Sequence, residues 1–273
     1  MNHKLRRGLA IVLAVVFLCS LSMFAYKSIQ AWKGAKVYAE AETLAKLPDL
    51  STESPGAGTS PVEPTEESNV WREAPVYDDP YMDALEQTDL EALREVNDDV
   101  LGWIVIPNTQ LSYPLVQGED NNYYLNRTWK QEPSSVGAIF LEKNNSKELS
   151  DFNTIVYGHR MLDGSMFASL KYYKKLDYWK EHPYIYVVDD AGSHRYEIFA
   201  AYEASVTGST YRLDFSEDES RQTFLNDCMS WSVIDSGVIP TVNDRILTLS
   251  TCTGRGYESR WVVQARLEGL VEE

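Results

Sequence analysis

The stretch RILTLSTC, residues 245–252, leads through TGRGYE into SRWVVQARL, residues 259–267. Both outer runs carry β-branched and aromatic residues at strand spacing, and two glycines between them allow a tight return, so the whole reads as a β-hairpin. A period of two sends Leu247, Leu249 and Thr251 to one side and Ile246, Thr248, Ser250 and Cys252 to the other. A row of small hydroxyls ending in a thiol is a poor core face and a good floor for a polar groove. Across the hairpin, Arg260 can lie opposite Cys252 on the same face, where a guanidinium favours the thiolate and can hydrogen-bond a developing oxyanion. Arg255 is a rival for that role, but it sits between two glycines in the turn, where a side chain is harder to hold.

Upstream, similar short runs recur between turn residues: LGWIVIP, LSYPLVQ, GAIFLEK, NTIVYGH, YIYVVDD and HRYEIFAAYEAS. Eight runs in all predict a mainly β fold, an eight-stranded barrel that is closed or nearly so, rather than a parallel sheet. Helical patterns occur at 88–100, where Thr88 is the expected N-cap with Glu91 at capping-box spacing, at 166–173, and at 219–234 between the sixth and seventh runs. Cys228, on the last of these among apolar neighbours, reads as a buried inert thiol.

A cysteine nucleophile needs a proton carrier, and histidine is the usual one. Of four histidines, His3 precedes the apolar N-terminal run, His182 stands before a proline and His194 opens a strand among polar residues. His159 ends the strand NTIVYGH, with Gly158 allowing close backbone approach and the loop RMLDGSMF after it. One histidine, one groove cysteine and one cross-strand arginine point to a cysteine acyl transferase. No second histidine stands at metal-ligand spacing from His159 and no glycine-rich phosphate loop occurs, so neither a metal nor another cofactor is expected.

The rest of the chain sets the compartment. Lys4, Arg6 and Arg7 precede an uncharged run over 8–26 that is long enough to span a bilayer, and the basic side of such a run is expected to be cytoplasmic. Residues 1–26 thus read as a cytoplasmic end and uncleaved single-pass anchor, with Cys19 in lipid, and 27–47 as a helical stalk adding little to a core. Residues 48–80 read as an acidic Pro-rich spacer, and 81–273 as the extracellular catalytic domain. The formal charge of −16, with 25 basic against 41 acidic residues, excludes an electrostatic grip on nucleic acid. Three cysteines, at 19, 228 and 252, exclude a disulfide framework.

TLSTC at 248–252 matches the TLxTC signature of sortases, membrane-anchored cysteine transpeptidases of Gram-positive bacteria. NTIVYGHRMLDGSMFASL resembles the histidine segment of class B, and DNNYYLNRTW at 120–129 its early helical segment. The resemblance runs from about residue 101 to 267. It implies a sortase-type barrel with an N-terminal helix and catalytic His159, Cys252 and Arg260, and a substrate groove lined by Asn121, Leu125 and Ser250. The implied reaction cleaves a secreted protein's C-terminal sorting motif, LPxTG-like, NPxTx or PPxTG, after Thr through a Cys252 thioester. The protein is then transferred to an amine of peptidoglycan, its precursor or cross-bridge, or, in a pilin-polymerising enzyme, of another subunit. Two readings from other classes stand beside it: a papain-type peptidase, which would place its cysteine at an early helix start, and a tethered β-barrel binding module without activity.

Overall fold

The computed structural model describes residues 3–48, 79–254 and 256–269. All eight expected strands form: β1 (Val100–Val105), β2 (Ser112–Val116), β3 (Ile139–Leu141), β4 (Asn153–Tyr157), β5 (Tyr184–Asp189), β6 (Gly192–Ser205), β7 (Ile246–Cys252) and β8 (Ser259–Leu267). They close into a barrel in the order β1-β2-β3-β4-β7-β8-β6-β5. Most neighbours are antiparallel, but β2 with β3 and β4 with β7 pair in parallel. The spacer expected over 48–80 falls, except at its ends, outside the described residues, as does Arg255.

The alternation in β7 divides two cores. Leu247 and Leu249, with Val263 and Ala265 of β8, join the main core, whereas Ile246 and Val262 join a second cluster with Phe224, Leu225 and Cys228 of α5 (Asp218–Trp231). This helix lies between β6 and β7, as expected, and the short α4 (Leu176–Glu181) lies between β4 and β5. Because α5 and the segment before it cover that face, its hydroxyls do not floor an open groove. Thr248 is fully buried; its hydroxyl donates to Asn153 Oδ1 at 2.7 Å and accepts from Gln264 Nε2 at 3.0 Å. Asn153 Nδ2 donates to the carbonyls of Thr210 and Arg212, and the Tyr202 hydroxyl reaches Gln264 Oε1 and Cys228 Sγ. Cys228 is the buried thiol expected: burial pushes its pKa up to about 12.

Two local expectations are corrected. Thr88 does not cap a helix, because its hydroxyl donates to Leu85 O at the end of α2 (Pro80–Leu85); Asp89 caps α3 (Leu90–Arg94) by accepting from Ala92 N. Glu91 pairs with Arg94 instead of closing a capping box. The segment 27–47 also contributes more than expected. It forms the end of one helix, α1 (His3–Leu44), and Tyr38, Ala41 and Ala45 are buried in the main core. Trp129 Nε1 donates to Val37 O at 3.1 Å, and Lys130 pairs with Glu40. In the other direction along α1, every described side chain over 11–26 is exposed, and among the described residues no helix is long and apolar enough to cross a membrane.

The Asn153 network sets a stability test. Asn153→Leu strands two backbone carbonyls and the Thr248 hydroxyl, and unsatisfied buried groups cost about 1–3 kcal/mol each, so urea unfolding is expected to show a loss of roughly 3 kcal/mol. A loss below about 1 kcal/mol would mean these groups find water instead.

Candidate active site

The parallel pairing of β4 with β7 sets Tyr157 opposite Ser250. Two residues further along each strand stand His159 and Cys252, so the shared period brings both side chains out at one end on one face. The strand ends are tied: Gly158 N donates to Ser250 O at 3.2 Å, and the Thr251 hydroxyl donates to Gly158 O at 2.7 Å. A side chain at position 158 would force its neighbours to move, since a Cβ would stand 2.4 Å from Ile139 Cδ1 and 2.7 Å from the Phe167 ring. The antiparallel β7–β8 ladder then places Arg260 directly opposite Cys252, as the hairpin reading expected.

One nitrogen of His159, Nε2, lies 2.7 Å from Leu125 O. A carbonyl only accepts, so Nε2 carries the proton, and Nδ1 is left as the nitrogen able to take or give one. The imidazole also stands beside the half-buried Cys252 thiol, and a hydrogen bond between the two is the largest influence on the titration of each. The two groups shift each other in opposite senses. The Cys252 pKa is lowered, first by His159 and then by the charges of Arg260, His159 and Arg160, against burial. The His159 pKa is raised, first by the thiol and then by Leu125 O, again against burial. A falling thiol pKa keeps the thiolate to lower pH, and a rising imidazole pKa keeps the imidazolium to higher pH. The shifts converge, and the charge pair is more populated near neutrality than two isolated side chains would allow.

Arg260 is partly exposed, and its Nη1 donates to Tyr257 O and Ser259 O, each at 3.0 Å. Its Nη2 makes no hydrogen bond among the described residues and remains free to donate. A cavity of about 700 Å³ lies between α1 and β1–β2 and includes neither His159 nor Cys252.

Comparison with known proteins shows the family. A sortase domain matches over residues 104–268. Sortase B of Listeria monocytogenes is 39% identical over 181 residues, which cover 66% of this chain and 74% of that one. The chain belongs to the sortase family, in class B. Among solved structures, the Staphylococcus aureus sortase B–substrate complex superposes with a TM-score of 0.63 at 36% identity, covering 67% of this chain and 85% of that one. Sortase B from B. anthracis superposes at 0.67 with 32% identity, covering 88% and 98%. The protein is thus a cysteine transpeptidase, and the papain-type and non-enzymatic readings fall away.

The structure also places the other residues expected at this sortase's site. Asn121 Nδ2 donates to Glu142 Oε2, and its Oδ1 accepts from Lys143 N at 2.9 Å. Leu125 is half-buried, and its carbonyl is the group that meets His159. Ser250 is 2% exposed, with its hydroxyl 2.9 Å from the Tyr211 hydroxyl. Three neighbours escaped the sequence reading. Arg160 donates to Thr253 O and adds positive charge beside Cys252; its adjacency to His159 was the available signal. Tyr211 stacks on Tyr157 at 6.4 Å, in a segment with no periodic pattern. Glu142, at the end of GAIFLEK, is buried and accepts from Asn121 and the Tyr157 hydroxyl.

Alkylation of Cys252 by iodoacetamide, followed against pH in a Cys19→Ser background, is expected to have its midpoint below the ordinary thiol value of about 8.5. His159→Gln should move that midpoint upward, and Arg260→Gln should move it upward by less, because the imidazole lowers the thiol pKa more than the guanidinium does. An unchanged midpoint in both variants would contradict the charge pair.

Proposed function

We propose that this sortase joins secreted proteins to cell-wall amines, with Cys252 as nucleophile, His159 as proton carrier and Arg260 as oxyanion donor. The observation that carries this reading is the pairing of a lowered thiol with a raised imidazole at the ends of two parallel strands. The Cys252 thiolate attacks the threonine carbonyl of an LPxTG-like, NPxTx or PPxTG motif, forming a C–S bond. The free donors of Arg260 take the charge that develops on the oxygen. As the tetrahedral intermediate collapses, the C–N bond breaks and the imidazolium protonates the departing amine. In the second half His159, now neutral, removes a proton from an amine of peptidoglycan or its precursor; that amine displaces the thiolate and an amide forms. The known complex of S. aureus sortase B with a substrate supports a polypeptide substrate here. Asn121 and Leu125 line the groove in this reading, and the buried Ser250 supports it from beneath through its hydrogen bond with Tyr211.

Cys252→Ala is expected to abolish formation of a hydroxylamine-sensitive acyl-enzyme with a panel of motif peptides, read by mass spectrometry, while the barrel keeps its melting temperature. Full transfer activity in that variant would contradict the assignment.

The same reading places the enzyme on the outer face of a cell membrane, with residues 1–26 as cytoplasmic end and anchor, 27–47 as stalk, 48–80 as spacer and 81–273 as the catalytic domain. It is supported by the uncharged run over 8–26, by the exposure of its described side chains, and by the basic residues before it. Removing residues 1–26 is expected to shift the protein from the membrane to the soluble fraction with peptide turnover unchanged. Retention of the shortened chain on membranes would overturn the anchor.

A further inference from the structure

We infer that Tyr38, on the N-terminal helix α1, is a positioning residue for His159, clamping the two segments between which the imidazole is held. The inference rests on the proposed role of His159. Tyr38 is 6% exposed and makes two connections.

The first is to the segment on one side of the histidine. The Tyr38 hydroxyl donates to Gly137 O at 2.6 Å. Gly137 has φ +68, and a Cβ there would stand 2.7 Å from His159 Cδ2 and 2.9 Å from Leu125 O. The Gly137 backbone is therefore a wall of the imidazole site and lies against the same carbonyl that accepts from Nε2. Ala138 N donates to Tyr124 O at 3.0 Å, which joins this wall to the turn bearing Leu125.

The second connection is to the loop on the C-terminal side of the histidine. The Tyr38 ring packs edge-on against Tyr113, with centroids 5.1 Å apart. The Tyr113 hydroxyl accepts from Met166 N at 2.8 Å; Met166, at φ +57, bridges back to Arg160, and Phe167 N donates to His159 O at 2.9 Å. One side chain thus braces both the ring's wall and its own backbone. Burial raises the Tyr38 pKa far above neutrality, so the hydroxyl keeps its proton and remains a donor. The catalytic constellation then extends into a helix whose sequence reads as a stalk.

The test uses the full chain in detergent, in the Cys19→Ser background, with Tyr38→Phe and Tyr38→Ala variants. Tyr38→Phe keeps the ring on Tyr113 and loses only the hydroxyl. Its kcat is expected to fall about fivefold, the effect of one buried hydrogen bond, at unchanged KM. Its Cys252 alkylation midpoint should rise, because a displaced imidazole holds the thiolate less well. Tyr38→Ala should move both further in the same directions. A Tyr38→Phe enzyme with unchanged kcat and midpoint would overturn the inference, whatever its melting temperature, since docking α1 alone moves stability and not the titration of Cys252. Cys252→Ala run in parallel separates the two claims: its inactivity leaves the site reading in place if Tyr38→Phe behaves as wild type, and its activity defeats the site reading itself.

Discussion

The parallel contact of β4 with β7 is the constraint on which the site depends. A ladder with Tyr157 opposite Ser250 leaves His159 and Cys252 at matching positions beyond it. A slip of one residue would turn one of the two to the opposite face and separate them. The register is held by the Thr251 hydroxyl on Gly158 O and by Gly158 fitting between Ile139 and Phe167. Beneath the strands, the Asn153–Thr248 hydrogen bond fixes the same ladder from its other end. Packing, polar pairing and catalytic geometry are in this sense one structure.

The electrostatics built on that register work against the chain as a whole. The protein carries a formal charge of −16, which disfavours a thiolate at long range. Locally, the imidazole of His159 and the guanidiniums of Arg260 and Arg160 surround the thiol, and their influence exceeds the cost of its partial burial. Charges a Debye length away, about 8–10 Å at physiological salt, are largely screened. The local cluster therefore decides the ionisation. Cys228 is the internal control: a thiol in the same chain, buried with no cation acting on it among the described residues, is pushed up to about 12.

The legible part of the sequence was its periodicity. Eight alternating runs became eight strands, and the hairpin count from Cys252 to Arg260 gave a true cross-strand pair, because local spacing dictates both. The parallel partnership of β4 and β7 was not legible, since nothing local records which distant strand is a neighbour. The hydroxyl face of β7 suggests a groove floor for a related reason: alternation tells which residues share a face, not what covers it, and α5 covers most of this one. Thr88 and Asp89 are both good caps, and only the end of α2 decides between them. Arg160, Tyr211 and Glu142 reach the site through loops and strand ends, where no period marks a side chain's direction. The acidic, Pro-rich composition over 48–80 suggests a break in the chain between the N-terminal helix and the barrel, yet the end of that helix packs on the barrel through Tyr38, Ala41 and Ala45.

The most direct test of the central claim is an NMR titration of the His159 imidazole in the intact enzyme and in Cys252→Ala, with the signal assigned by its loss in His159→Gln. If the two strand ends form a charge pair, His159 titrates above the ordinary histidine value of about 6.5 in the intact enzyme. It falls in Cys252→Ala, where burial acts without the thiolate to oppose it. The same titration midpoint in both proteins would contradict the pairing.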